Sequence, residues 1–380
     1  MSSLNSIAFY LTDNKCVTLP STLFRYLFVL VIIKQYRKVI IMLDTLNLDT
    51  PLHSTLQIYE IQQSIINIFG KDDAKHYLIK KDKKCNQNQT VWSTSGFYPQ
   101  GILELSVKHK YYPNKITVNA KYKPALVTKK KCNQVSLSSM SDYQAAVDGF
   151  NNFIDILNSE LDSFQLPPAI FWDVNRVDYA YQYTTPFYEC LMYILNKGCA
   201  MAENLGYKDS AYFVNTHRNI NIYDKTKKQH LPDIDGEHLV RFEIQCKQKA
   251  LTHMAQRYCW ERISIFHVWD EKVAKETVIN AVKMLVGEHN FYNLQEAEKT
   301  IRLCYQTRKA EPIIEFLKKT RHHKAKLKNL LSGKIDGFSK DYIRRSVRPA
   351  LNKAGIAPIL IPDCYHISIL ENPITMLQKL

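Results

Sequence analysis

The sequence predicts an α+β fold: an antiparallel β-sheet catalytic core covered by helices on one face, followed by a helical basic C-terminal region. Three observations predict it. Segments 175–180, 219–225 and 239–245 alternate apolar with polar residues, the period of a half-buried strand. Each keeps its polar side chains on one face, as a sheet packed on one side requires. After residue 248 the periodicity turns helical, over 272–286, 294–306, 310–320 and 340–354.

Taken in order, the chain opens with an apolar run at 27–33 that is too short to span a bilayer. Arg25 precedes this run and Lys34, Arg37 and Lys38 follow it, with no small-residue cleavage site. Met42-Leu43-Asp44-Thr45-Leu46-Asn47-Leu48 reads as a start feeding a first strand. Residues 1–41 are therefore expected to be an extension of doubtful role, 42–247 the core and 248–380 the helical region. Residues 71–88 are polar and predict a loop, while 101–108 and 115–123 form a hairpin about Tyr112-Pro113-Asn114-Lys115. Ser141-Asp142 caps a helix whose Val147, Phe150, Phe153, Ile154, Leu157 and Leu161 share a face. The strand with Asp178 follows, then a helix from Pro186 to about Leu205 closed by Gly206, then strands at 210–215, 219–225 and 237–247. Near the end, Ser339 caps a helix closed by Gly355, and a joint with Gly333 and Gly337 makes this part either helix-turn-helix-like or an ordinary helical cap.

Composition narrows the partners. The net charge of +15 favours a polyanion. Between 299 and 349, fifteen Lys/Arg face four Asp/Glu. Arg321, Lys324, Lys326, Lys328, Arg344, Arg345 and Arg348 are the expected phosphate contacts there, with the lysines at 129–131 either a further contact or a solvated loop. The nine cysteines follow no paired or metal-finger spacing, which predicts free thiols.

The chemistry-bearing residues gather on the three strands. Arg176 and Asp178 share one face; Asn219, Asn221, Tyr223 and Lys225 share another; Arg241, Glu243 and Gln245 share the third. A tyrosine with pKa near 10 is a poor nucleophile at neutral pH. Lys225 can lower that pKa or neutralise charge at phosphorus, Asp178 and Glu243 can hold Mg²⁺ or Mn²⁺, and Arg176 and Arg241 can grip phosphate oxygens. Alternation puts Asp224 on the wrong face, as a strand-end cap. The competing readings are an ordinary strand tyrosine and structural ion pairs, Asp178 with Arg241 or Glu243 with Arg176.

Arg176-Val177-Asp178-Tyr179-Ala180, Ile222-Tyr223-Asp224-Lys225 and Leu239-Val240-Arg241-Phe242-Glu243 resemble, in that order, motifs of the gene II-type replication initiators of filamentous phages and of the plasmid rolling-circle initiators. The resemblance spans roughly 42–360 and is strong at these three motifs. It implies a site- and strand-specific endonuclease in which Tyr223 attacks an origin phosphodiester, holds the 5′ end as a phosphotyrosine and later rejoins the strand. It also implies a phage or plasmid origin as DNA partner, a host helicase and polymerase, the cytoplasm of a bacterial host and no membrane. No histidine–apolar–histidine motif is present, unlike the other large class of rolling-circle enzymes. No second tyrosine is evident for the closing cut, which leaves a homodimer or water. The other classes consistent with the chain are a conjugative relaxase, a non-catalytic origin-binding protein and a basic RNA-binding module.

Overall fold

The structure, a computed structural model, describes residues 9–10, 16–17, 40–69, 89–95, 101–111, 114–128, 138–198, 203–204, 210–228, 236–321, 335 and 337–378. The apolar run at 27–33, the loop expected at 71–88, the lysines at 129–131, Gly333, and Lys324, Lys326 and Lys328 lie outside the described residues.

The sheet strands are β1 (Ile40–Leu52), β2 (Gln89–Ser95), β3 (Ile102–Tyr111), β4 (Asn114–Tyr122), β5 (Asp173–Thr185), β6 (Glu203–Asn204), β7 (Ser210–Val214), β8 (Arg218–Asp224) and β9 (His238–Cys246). They form one nine-stranded sheet in the order β2-β3-β4-β1-β5-β9-β8-β7-β6. Every neighbouring pair is antiparallel. The first strand begins at Ile40, so Ile40 and Ile41, which precede Met42, pair with Gln182 and Tyr181.

The sheet follows the same path twice. β1 and β5 are each 13 residues long. A helix follows each of them, α1 (Thr55–Phe69) and α3 (Tyr188–Gly198). The chain then meanders, and the last strand of each half returns to its opening strand, β4 to β1 and β9 to β5. The halves meet where β1 pairs with β5, Thr45 opposite Asp178. An approximate twofold axis therefore passes through the middle of the sheet.

One face of the sheet is apolar. Leu46, Leu48, Val177, Tyr179, Tyr181, Ile220, Ile222, Phe242 and Ile244 are buried there with the apolar sides of α2 (Tyr143–Asn158), α3, α4 (Gln248–Tyr258) and α5 (Glu271–Val286) in one core. Buried tyrosines on this face have ordinary structural hydrogen bonds: Tyr122, Tyr179 and Tyr181 donate to the carbonyls of Ala146, Val268 and Pro373 at 2.7, 2.6 and 3.0 Å. As periodicity predicts, Val147, Phe150, Phe153, Ile154 and Leu157 of α2 turn inward, and Phe150 meets Trp172 edge-on at 5.2 Å.

A second core joins α6 (Leu294–Cys304), α7 (Thr307–Arg321) and α8 (340–353). The Ser339 hydroxyl accepts from Tyr342 N at 3.2 Å, and Gly355 follows at φ +69°, so both expected helix ends are found. Within α8 the turn Ile343–Val347 is a π-helix just before Pro349. Proline has no N–H and its ring crowds the preceding carbonyl, which a widened turn accommodates. Among the described residues no helix is long and apolar enough to cross a membrane.

Two boundaries differ from expectation. The helix after Pro186 stops at Gly198 rather than near Leu205, because Glu203 and Asn204 already pair with Val214 and Phe213 at the sheet edge. The tyrosine strand ends at Asp224, and Lys225–Lys228 is a helical turn whose Lys227 N–H bonds the Asp224 carboxylate at 3.2 Å.

Helix α2 packs without a side chain at Gly149: a Cβ there would lie 2.3 Å from Val127 Cγ1. Gly149→Ala is expected to destabilise the fold by about 1–3 kcal/mol through overpacking. Val127→Ala in the same chain should recover most of the loss in a urea titration.

Candidate active site

The opposite, polar face of the sheet carries the residues singled out by sequence. Alternation puts Arg176 and Asp178 of β5, Tyr223 of β8, and Arg241 and Glu243 of β9 on that face, and the register draws them together. Tyr223 is opposite Arg241, Arg241 is opposite Gln182, and Asp178 is opposite Gln245.

Tyr223 is 4% exposed. Its hydroxyl donates to Glu243 Oε1, which also lies 3.5 Å from Arg241 Nη1. Two ammonium groups cover the ring, Lys228 Nζ at 4.1 Å and Lys225 Nζ at 5.6 Å from its centroid. This tyrosine differs from the structural ones: it lies on the polar face, donates to a carboxylate and sits under cations. Burial pushes its pKa above the ordinary value; Arg241 opposes this and Glu243 adds to it.

Lys225 is buried at the start of the helical turn. It has left the strand, so the sequence expectation of a shared strand face is replaced by a contact from the turn. Burial first, and then the Arg241 charge, lower its pKa to about 7. At neutral pH it is thus poised to give or take a proton.

Arg241 is 1% exposed. With the Gln182 amide oxygen turned toward it, its Nε and Nη2 donate to that oxygen. Arg176 binds Asp178 through two parallel hydrogen bonds of 2.7 and 2.6 Å. The ion pairs therefore run within each strand, Arg176 with Asp178 and Arg241 with Glu243, rather than between strands. Asp178 is nevertheless raised to about 6, because desolvation outweighs the Arg176 hydrogen bond and charge, and Asp44 and Glu243 add repulsion.

Sequence reasoning missed Asp44, Gln182, Lys123 and Lys228. Asp44 sits in a bulge of β1, where the register breaks between Leu43 and Thr45. Its Oδ1 lies 3.4 Å from Lys123 Nζ. An acid inside an apolar strand segment was the available signal. Asp224 is on the other face as alternation predicts, bonded to His238 Nδ1 at 2.7 Å. Of the other basic residues, Arg321 pairs with Asp363, Arg344 lies 3.2 Å from Asp341, and Arg344, Arg345 and Arg348 are exposed on α8.

Asp178 and Glu243 supply hard oxygen donors, and their charges interact across the site. Among the described residues no group of three His, Cys, Asp or Glu side chains is gathered for a metal. Two carboxylates completed by substrate phosphate and water suit Mg²⁺ or Mn²⁺, so the donor set fits such an ion in that restricted sense. To bind both carboxylates, the ion would displace the Arg176 and Arg241 contacts.

No protein-family model and no curated protein matches the chain. Among solved structures it is similar to a rolling circle replication initiator protein from Geobacillus stearothermophilus, at 13% identity and a TM-score of 0.33, over 65% of this chain and 85% of that one. A likeness of this size assigns no role to any residue.

Asp178 is charged at a cost. Its pKa is higher folded than unfolded, so stability falls as pH rises from about 4 to 6, by on the order of 3 kcal/mol, and the cost is fully present above 6. Asp178→Asn is therefore expected to raise the melting temperature at pH 7.5 and to leave it nearly unchanged at pH 4, as read by thermal scans at both pH values.

Proposed function

We propose that this protein is a DNA strand-nicking and rejoining enzyme of the rolling-circle initiator type, with Tyr223 as nucleophile. The observation that carries the reading is the Tyr223 hydroxyl donating to Glu243 beneath Lys225 and Lys228, with Arg241 3.5 Å from the same carboxylate. A proton acceptor on the hydroxyl and cations over the ring are what attack on a phosphodiester requires.

In the proposed reaction the Tyr223 oxygen attacks phosphorus as its proton passes to Glu243. The bond from phosphorus to the 3′ oxygen breaks, and Lys225 gives that oxygen a proton. A 5′-phosphotyrosine and a free 3′-OH result. Rejoining is the reverse: the 3′-OH attacks phosphorus, its proton returns to Lys225, and the tyrosine oxygen recovers the proton from Glu243. The phosphotyrosine conserves the bond energy, so closing needs no nucleotide cofactor. Arg241, fixed by Gln182, is placed to balance charge on the phosphate, and Arg176 would do so once parted from Asp178. Asp178 and Glu243 are the residues that would hold Mg²⁺ or Mn²⁺, an ion that supplies polarising charge at the scissile phosphate. The partner in this reading is the origin DNA of a phage or plasmid, with host helicase and polymerase acting on the opened strand in the cytoplasm of a bacterial host. The exposed Arg344, Arg345 and Arg348 of α8 are proposed phosphate contacts.

Two outcomes are expected. With supercoiled DNA of its own replicon and Mg²⁺, the wild type should give a covalent adduct on a denaturing gel that maps to Tyr223, and Tyr223→Phe should bind the DNA without forming it. Adduct formation by Tyr223→Phe would overturn the assignment. Second, nicking should slow as pH rises through about 7, because protonated Lys225 is consumed as the acid. Lys225→Arg, charged throughout, should lose that falling limb along with most of the rate.

A further inference from the structure

The approximate twofold axis relates the active site to a second cluster on the polar face. Leu46, one residue beyond Thr45, corresponds to Tyr179, one beyond Asp178. Their outer partners Tyr122 and Ile244 correspond in turn. Continuing outward, Ser106 opposite Asn119 stands where Tyr223 stands opposite Arg241. Asp49, opposite Asn119, takes the place of Gln182, and Lys108 follows Ser106 by two residues as Lys225 follows Tyr223, but stays on its strand where Lys225 turns into a helix.

This counterpart keeps the polar groups and lacks the nucleophile. Lys108 Nζ donates to Asn119 Oδ1 at 3.4 Å, and Asn175 Nδ2 donates to Asp49 Oδ1 at 3.0 Å. Lys110 and Lys115, both exposed, face each other directly across β3 and β4. Like charges in that position destabilise a sheet unless an anion lies between or above them. The acids nearby are Asp49, Asp173 and Glu104, which lies opposite Lys121 on the same face, and Asp49 is attracted by Lys108 and Lys115.

We propose that Lys108, Lys110, Lys115 and Asn119 form a second seat for a DNA backbone phosphate, one that holds the strand and does not cut it. The proposal rests on the nicking reading for the identity of the anion as DNA. Five strand spacings separate β3 from β8, about 24 Å, or roughly seven base steps of duplex rise. One DNA segment can therefore reach both seats across the polar face, gripped at the first half and cut at the second.

The test is binding of a labelled 30-nucleotide single strand at a series of salt concentrations. It compares wild type, the triple variant Lys108→Gln/Lys110→Gln/Lys115→Gln, and the double variant Lys110→Gln/Lys115→Gln, which changes only exposed side chains. A control variant, Lys249→Gln/Lys272→Gln/Lys275→Gln, removes equal charge from α4 and α5 on the helical side. The triple variant is expected to lose tenfold or more in affinity, with the log–log salt slope reduced by about 0.7 per phosphate contact removed. The double variant should lose part of this and the control less than twofold. Unchanged affinity and slope in both seat variants, or an equal loss in the control, would overturn the seat. The adduct assay is independent of this outcome: a seat effect without adduct supports the second seat and rejects the tyrosine reading, whereas adduct without a seat effect does the reverse.

Discussion

The ladder between β1 and β5 organises the molecule. It runs from Ile40 opposite Gln182 to Asp49 opposite Asp173, and it is the ladder that joins the two halves of the sheet. On one side of it, Leu46, Leu48, Val177 and Tyr179 are sealed under helices; on the other, Asp44, Asp178, Arg176 and Gln182 lie on the polar face. Because successive side chains alternate, a slip of one residue in this ladder would exchange the two sets and place charge in the core. The bulge at Asp44 is the local exception, and it brings one more carboxylate to the polar face.

The polar face is electrostatically expensive. Arg241, Asp178 and Lys225 are all removed from water almost completely. Burial lowers the Lys225 pKa and raises those of Asp178 and Tyr223, each toward the neutral form. The Arg176 contact offsets part of this at Asp178, and Asp178 and Lys225 are left with pKa values of about 6 and about 7, while Tyr223 is held in its protonated form. Tyr122, Tyr179 and Tyr181 bond backbone carbonyls instead, whereas Tyr258 donates to Glu276 with Arg257 beside its ring.

Much of this was legible in the sequence. Period-two alternation on β5, β8 and β9 separated core from polar-face residues correctly, because each strand has one face under helices. Helical periodicity found α2 and α5 to α8 within a few residues. The rest was illegible for definable reasons. Alternation assigns a face but not a partner across strands, so the Arg176–Asp178 and Arg241–Glu243 pairings could not be chosen over the crossed alternatives. Asp224 capping a helical turn moved Lys225 off the strand, a local hydrogen bond that periodicity does not encode. Asp44 reached the polar face through a bulge in the pairing of segments more than 130 residues apart, and Gln182 met Arg241 through the register of β5 with β9.

The doubled path has a consequence for how the chain reaches its native state. In each half, the ladders form between strands of that half, and among the described residues only the β1–β5 seam crosses from one half to the other. Loop-closure entropy is therefore spent over shorter separations within each half, and the seam is the longest closure. The topology suits two nuclei that form separately and dock once, with Thr45 and Asp178 at the centre of the docking line.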